Sequence, residues 1–346
     1  MRQLSSLRIL GLRGFSTAQA VTFASPTGQC GSGLTYLLGP NNSGKSTVIE
    51  SFRAYNWRHN KPSFHEGMRN RMTNYVDLQF AFSDGSVDSV TSLRPGSSEI
   101  RTNIVPGRFT PYVVPSRRYF APYFHRQPAR LSRSDFLMTS GDQGFMQQRG
   151  PSLNMFEERL FTIDANELNR QRFNSIVRRI IPRGVNWTID QSEAYQYVLR
   201  FLGDNKAHSA EGVGEGIASL FTLIAALYDS VPGDVIVIDE PELSLHPTYQ
   251  KRLIKVLCEF AANRQIVIST HSPYMIDDAS VQNGANIVRA WDRGTGTQLF
   301  QLGIGGAASW KALTKPNLHF PHQFGTNAKE VFFLEDGIVI VEGQEV

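Results

Sequence analysis

The residues with the clearest chemical potential are Gly39, Pro40, Asn41, Asn42, Ser43, Gly44, Lys45, Ser46 and Thr47, a full G-x-x-x-x-G-K-[ST] match. A loop of this kind aims backbone N–H groups, and the positive end of the helix it opens, at phosphate oxygens. Lys45 would reach the β and γ phosphates of a nucleoside triphosphate, and the Ser46 hydroxyl would ligate Mg2+. A glycine turn that merely fits the pattern would lack the flanks found here, an apolar run at Leu34–Leu38 and a helical pattern from Ser46 to about Asn56.

A second cluster ends the apolar run Val235–Ile238 with two carboxylates, Asp239 and Glu240. Asp239 would hold the magnesium, directly or through water, and Glu240 would act as general base on the attacking water. Alone, the pair reads equally well as two solvated acids beyond a strand end. Together with the phosphate loop it completes one Mg-nucleotide centre. The third cluster, Ser269-Thr270-His271-Ser272-Pro273, follows another apolar run, Gln265–Ile268. Open α/β sheets place ligands at the C-terminal ends of parallel strands, so His271 is positioned to contact a γ-phosphate or the water. A lone histidine there would more often be structural.

These clusters need a scaffold, and the chain supplies one. Leu7–Leu12 and Ala20–Phe23 read as two short strands, Leu34–Leu38 as a third and buried one, and Tyr75–Phe82 as a half-exposed alternating strand. The runs Val235–Ile238 and Gln265–Ile268 suit fully buried parallel strands. Helices are predicted around Phe156–Phe161, Glu167–Ile181, Ile217–Tyr228 and Tyr249–Ala262, with short strands near Trp187 and Tyr197. No repeat, heptad array or low-complexity tract interrupts this pattern.

Composition narrows the class. With 346 residues and 41% hydrophobic content the chain can bury a sizeable core. Its formal charge of +4 is too small to prove a nucleic-acid partner. Two cysteines, Cys30 and Cys258, make neither a disulfide framework nor a zinc cluster, which fits a reducing, cytoplasmic setting. No apolar stretch approaches a membrane span, so no membrane partner is expected.

Charge is concentrated in one segment. Between Ile100 and Ser134 lie seven arginines, five prolines, six Phe or Tyr residues and no acid. It reads as an irregular subdomain that does not continue the sheet. Arg117, Arg118, Arg126 and Arg130 could hold DNA or another polyanion; partner-protein contact, or a plain surface whose arginines pair with Glu157, Glu158 or Glu167, are the other readings. Gln79, on its strand, is the nearest candidate for the metal-reaching glutamine that a resemblance to ABC-type ATPases implies, and equally a surface strand residue.

The phosphate loop, the Asp-Glu pair with its continuation Pro241-Glu242-Leu243-Ser244-Leu245-His246-Pro247, and the Ser-Thr-His-Ser-Pro segment resemble the ABC-type ATPase domain of the OLD (overcoming lysogenization defect) family, related to RecF and SMC-type ATPases. Transporter and SMC ATPases usually carry aspartate where His246 stands. The resemblance implies an α/β, two-lobed ABC-type P-loop ATPase with a mixed sheet and a helical signature lobe. It also implies ATP and Mg2+ as ligands. Two subunits would close over two nucleotides as a homodimer or higher oligomer. The signature loop in that arrangement would be Ser209–Ile217, with Ser209, Gly214 and Gly216 facing the partner's ATP, although it departs from the common Leu-Ser-Gly-Gly-Gln form. Pro115-Ser116-Arg117-Arg118 resembles a nucleotide-sensing Pro-x-x-Arg stretch.

On this resemblance residues 1–95 and 233–325 form the nucleotide-binding lobe, and 96–232 an Arg-rich and helical signature lobe. Residues 326–346, ending in Glu342-Gly343, resemble the first strand of a Toprim domain. The aspartates of a Toprim metal site do not follow, so no nuclease activity is expected from this chain itself. The implied function is an ATP-hydrolysing switch in anti-phage defence or DNA maintenance that controls a nuclease or other effector. The alternative is a slowly hydrolysing or non-hydrolysing, ATP-locked scaffold that holds a partner protein.

Overall fold

The computed structural model describes residues 2–56, 63–105, 109–116, 154–191, 197–202, 207–209, 215–292 and 294–302. Arg117, Arg118, Arg126, Arg130, Gly214 and the segment 326–346 lie outside them.

A six-stranded mixed sheet carries the candidate residues. Its strands are β3 (Leu34–Leu38), β7 (Tyr112–Val114), β11 (Val235–Asp239), β12 (Gln265–Ser269), β13 (Asn286–Asp292) and β14 (Thr297–Gln301), in the order β14-β13-β3-β12-β11-β7. All neighbours are parallel except β13 and β14, which run antiparallel. Side chains alternate between faces along these strands. Tyr36, Ile236, Ile238, Ile266 and Ile268 enter one apolar core, while Leu37, Val235, Val237 and Val267 enter the other. Burial on both faces explains why β11 and β12 are continuous apolar runs and not alternating ones.

Two layers supply the cover. On the second core's side, the helix Lys45–Tyr55 inserts Val48, Ile49 and Phe52 beneath a five-stranded antiparallel sheet, whose order is β2-β1-β4-β5-β6. This sheet comprises β1 (Leu4–Leu10), β2 (Gln19–Thr22), β4 (Asp77–Phe82), β5 (Val87–Ser92) and β6 (Ile100–Asn103). On the other side pack the helices Glu167–Ile180, Glu215–Asp229 and Pro247–Phe260, with a small sheet of β8 (Trp187–Gln191), β9 (Tyr197–Leu202) and β10 (Ala207–Ser209). Phe221 joins the pieces there, with Trp187 and Phe201 rings edge-on at 5.8 and 5.2 Å.

One sequence expectation is corrected. Residues 100–103 and 112–114 are not irregular: β6 extends the antiparallel sheet, and β7 extends the central sheet beside β11. The prolines and arginines masked two short strands of four and three residues, of which β7 is apolar and buried throughout. Among the described residues no helix is long and apolar enough to cross a membrane.

Candidate active site

Parallel strands in register bring the three clusters to one edge. Asp239 pairs with Ser269, and Ser269 with Leu37, so β3, β12 and β11 all end at the same level. The loop after β3 has positive φ at Gly39, Asn42 and Gly44, which glycine and asparagine accommodate at least cost. A Cβ on Gly44 would lie 2.6 Å from Thr297 Cγ2, and one on Gly39 would lie 2.2 Å from the Ala290 carbonyl oxygen. Strands β13 and β14 thus buttress the loop from behind, and only glycine fits at those two points.

The helix Lys45–Tyr55 has no side-chain cap at its N-terminus, which leaves its first turn of N–H groups able to meet an anion. Lys45 is 4% exposed, and its Nζ donates to the Gly39 and Pro40 carbonyls at 2.8 and 2.7 Å. Burial pushes its ammonium down to about 8, while the charges of Glu240, Asp239 and Glu242 pull the other way. Ser43 Oγ is buried with no hydrogen-bond partner among the described residues, whereas Asn41, Asn42 and Ser46 are exposed. An unbonded buried hydroxyl, an uncapped helix and a cation folded onto its own loop fit a polyphosphate.

Asp239 is buried and accepts a hydrogen bond from Ser269 Oγ at 2.5 Å. Glu240 follows with φ at 45°, a left-handed backbone that costs a non-glycine residue roughly 1 kcal/mol or more. Its amide is held by both the carbonyl and the hydroxyl of Ser269, at 3.0 and 3.1 Å. His271 Nε2 stands 3.4 Å from Glu240 Oε1, both side chains partly open to solvent. Among the described residues no three His, Cys, Asp or Glu side chains are arranged to hold a metal. A divalent ion bound through Ser46 and Asp239 would therefore complete its shell with phosphate oxygens and water, the habit of Mg2+.

Other expectations fare differently. Gln79 lies on β4 with its amide donating to Asp77 at 2.9 Å, and Asp77 in turn takes Arg8 at 2.7 Å. Its described polar contacts are those of a sheet-surface residue. Ser209 ends β10, and Gly216 sits in the first turn of Glu215–Asp229. A Cβ on Gly216 would come within 2.1 Å of the Ser244 carbonyl oxygen, so the helix start rests on the turn that follows Glu240. His246 is the N-cap of Pro247–Phe260, its Nδ1 accepting from Thr248 N at 3.2 Å. Glu167 Oε1 accepts from Gln171 Nε2 at 2.9 Å.

Three contributors were not assigned roles from sequence. Glu242 accepts from Thr270 Oγ1 and from the His271 N–H, at 2.8 and 2.7 Å. Gln250 accepts from Ser272 Oγ at 2.5 Å and donates to the Leu245 carbonyl at 2.7 Å. Val114 of β7 pairs with Ile238, so Pro115 and Ser116 leave the sheet beside Asp239 and Glu240. The only sequence signal for these was proximity to the motifs.

Comparison with known proteins agrees with this architecture. A family model described as "AAA domain, putative AbiEii toxin, Type IV TA system" matches residues 133–277, less than half of the chain, including Asp239, Glu240 and His271 but not the Lys45 loop. No curated protein matches the chain in sequence. Among solved structures, an SMC head domain with an extended coiled coil from Pyrococcus furiosus, bound to the C-terminal domain of ScpA, is 11% identical with a TM-score of 0.55, over 90% of this chain and 99% of that one. An SMC head domain with a coiled coil and joint from Pyrococcus yayanosii is 9% identical with the same TM-score and coverage. An SMC head bound to the C-terminal winged-helix domain of ScpA is 14% identical with a TM-score of 0.54, over 89% and 99%. The fold is that of an SMC-type head, an ABC-type P-loop ATPase architecture of mixed α/β class.

Proposed function

We propose that this chain binds MgATP on the Gly39–Thr47 loop and hydrolyses it with Glu240 as general base. The carrying observation is the shared strand edge, where Lys45, Asp239, Glu240 and His271 meet at the ends of β3, β11 and β12. Lys45 exchanges the Gly39 and Pro40 carbonyls for β- and γ-phosphate oxygens. Glu240 accepts a proton from the water that attacks the γ-phosphorus, and His271 orients that water or a γ-phosphate oxygen. Ser46 and Asp239 would hold Mg2+, which when bound would neutralise charge developing on the phosphates.

We assign residues 1–95 and 233–325 to a nucleotide-binding lobe and 96–232 to a signature lobe, with β6 and β7, from within 96–232, paired into the sheets of the first. By the ABC-type resemblance two subunits close over the nucleotides, with Ser209, Gly214 and Gly216 of one copy completing the ATP site of the other; Gly216 itself packs against the Ser244 turn of its own chain. The Pro241–Pro247 continuation favours an OLD-like switch that controls a nuclease or other effector, with a Toprim-like strand at 326–346. That biological role rests on resemblance and not on site chemistry. Steady-state phosphate release by wild type, Lys45→Ala and Glu240→Gln tests the reading. Turnover by wild type alone supports it, and equal rates in all three would remove both residues from the reaction.

A further inference from the structure

We propose that Glu242 is the positioning residue of His271. The proposal rests on the hydrolysis reading above and assigns a role to a carboxylate which that reading leaves unused. Glu242 Oε1 receives the Thr270 hydroxyl and the His271 amide. Thr270 is fully buried, and its Oγ1 also accepts the Ser272 N–H at 3.0 Å. One carboxylate oxygen thus gathers the peptide on which His271 is mounted. The second oxygen, Oε2, is buried with no hydrogen-bond partner among the described residues, so Oε1, with its two donors, anchors this group.

The same turn presents the catalytic base. Leu243 N bonds the Glu240 carbonyl and Leu245 N bonds the Glu242 carbonyl, at 3.1 and 2.9 Å, making Glu240 to Leu245 a continuous pair of turns. From the far side, Gln250 ties Ser272 to the Leu245 carbonyl. His271 is therefore referenced to Glu240 through a short closed circuit of bonds, and Glu242 is its innermost link. Glu242 thereby holds the peptide from which His271 Nε2 approaches Glu240 Oε1 at 3.4 Å. Burial raises the Glu242 carboxyl above its ordinary range, so a neutral acceptor of the same shape suits the position.

The test is ATP turnover by full-length wild type, Glu242→Ala, Glu242→Leu, Glu242→Gln, His271→Ala and the Glu242→Ala/His271→Ala double variant, with Glu240→Gln alongside. Glu242→Ala should lower kcat about tenfold with KM for ATP within about twofold, because an acceptor that orients the reacting groups acts on the transition state. Glu242→Leu fills the same volume and serves where Glu242→Ala does not fold. Glu242→Gln keeps the Oε1 acceptor and should recover to within about threefold of wild type. The double variant should be no slower than His271→Ala by more than about twofold, since residues acting through one another are not additive. A Gln variant as slow as the Ala or Leu variant, multiplicative losses in the double variant, or unchanged turnover in all Glu242 variants would each overturn the proposal. If Glu240→Gln turns over like wild type, the underlying site reading fails first and takes this proposal with it.

Discussion

His271 Nε2 lies 3.4 Å from Oε1 of Glu240, although the two residues leave different strands of the sheet. That approach exists because Ser269, two residues before His271, holds the Glu240 amide and the Asp239 carboxylate at once. Glu240 keeps a left-handed φ of 45° under this hold. Strain maintained at a residue with open side-chain access points to function and not to packing.

Relief of that strain separates stability from activity. Glu240→Gly should leave the unfolding free energy unchanged or raise it by up to about 1 kcal/mol while abolishing ATP turnover. Chemical denaturation and phosphate release on the same sample check it. A loss of several kcal/mol would show that the backbone there is not strained.

Lys45 gives a pH signature. Its folded pKa of about 8 lies below the unfolded lysine value of about 10.4, so the folded state binds fewer protons between them. The cost of burying the ammonium is present in full below pH 8 and is relieved as pH rises to about 10.4. Wild-type stability measured against Lys45→Met should therefore improve over that window, by up to about 3 kcal/mol. Phosphates restore the charge, so ATP binding near pH 8.5 should take up protons. Calorimetry in buffers of different ionisation enthalpy measures this; zero uptake would place Lys45 away from the phosphates.

Gly216 tests the helix start. Gly216→Ala places a Cβ 2.1 Å from a backbone oxygen of Ser244, and forced repacking of that kind costs roughly 1–3 kcal/mol. Turnover should fall while MgATP affinity stays within about threefold of wild type. In light scattering, Glu240→Gln should grow in mass with MgATP, and addition of Gly216→Ala should suppress the growth. Full turnover in Gly216→Ala would detach this helix from catalysis.

The Arg-rich segment makes a separate claim. If Arg117, Arg118, Arg126 and Arg130 touch phosphates of duplex DNA, each lost contact should flatten the log–log salt dependence by about 0.9. Fluorescence anisotropy across salt concentrations reads the slope. A fourfold charge reversal that leaves the slope unchanged assigns these arginines elsewhere.

Much of the site was legible because its residues are contiguous with the strands that carry them. The loop Gly39–Thr47, the Asp239-Glu240 pair and His271 each follow an apolar run, and buried parallel strands announce themselves by such runs. Strand β7 was not legible, since three apolar residues between prolines carry no periodicity, and its place beside β11 is a long-range pairing. The role of Glu242 was hidden for the same reason: its partners are Thr270 and the amide of His271, and no local pattern announces a bond across that interval. Cys30 and Cys258 look unrelated in sequence, yet the Gly31 amide beside Cys30 bonds the Cys258 carbonyl at 2.7 Å. His246 shows the converse. It caps a helix, a task that aspartate performs as well.

The nucleotide that the protein retains after brief incubation with MgATP tests most directly whether ATP is held at Lys45 and cleaved through Glu240. Rapid gel filtration followed by chromatography of the denatured eluate should find mostly ATP on Glu240→Gln, ADP or free protein for wild type, and no nucleotide on Lys45→Ala. The cleavage rate for Glu240→Gln should be lower than wild type by roughly 10²-fold or more. ADP on Glu240→Gln at the wild-type rate, or ATP bound equally by Lys45→Ala, would contradict the account.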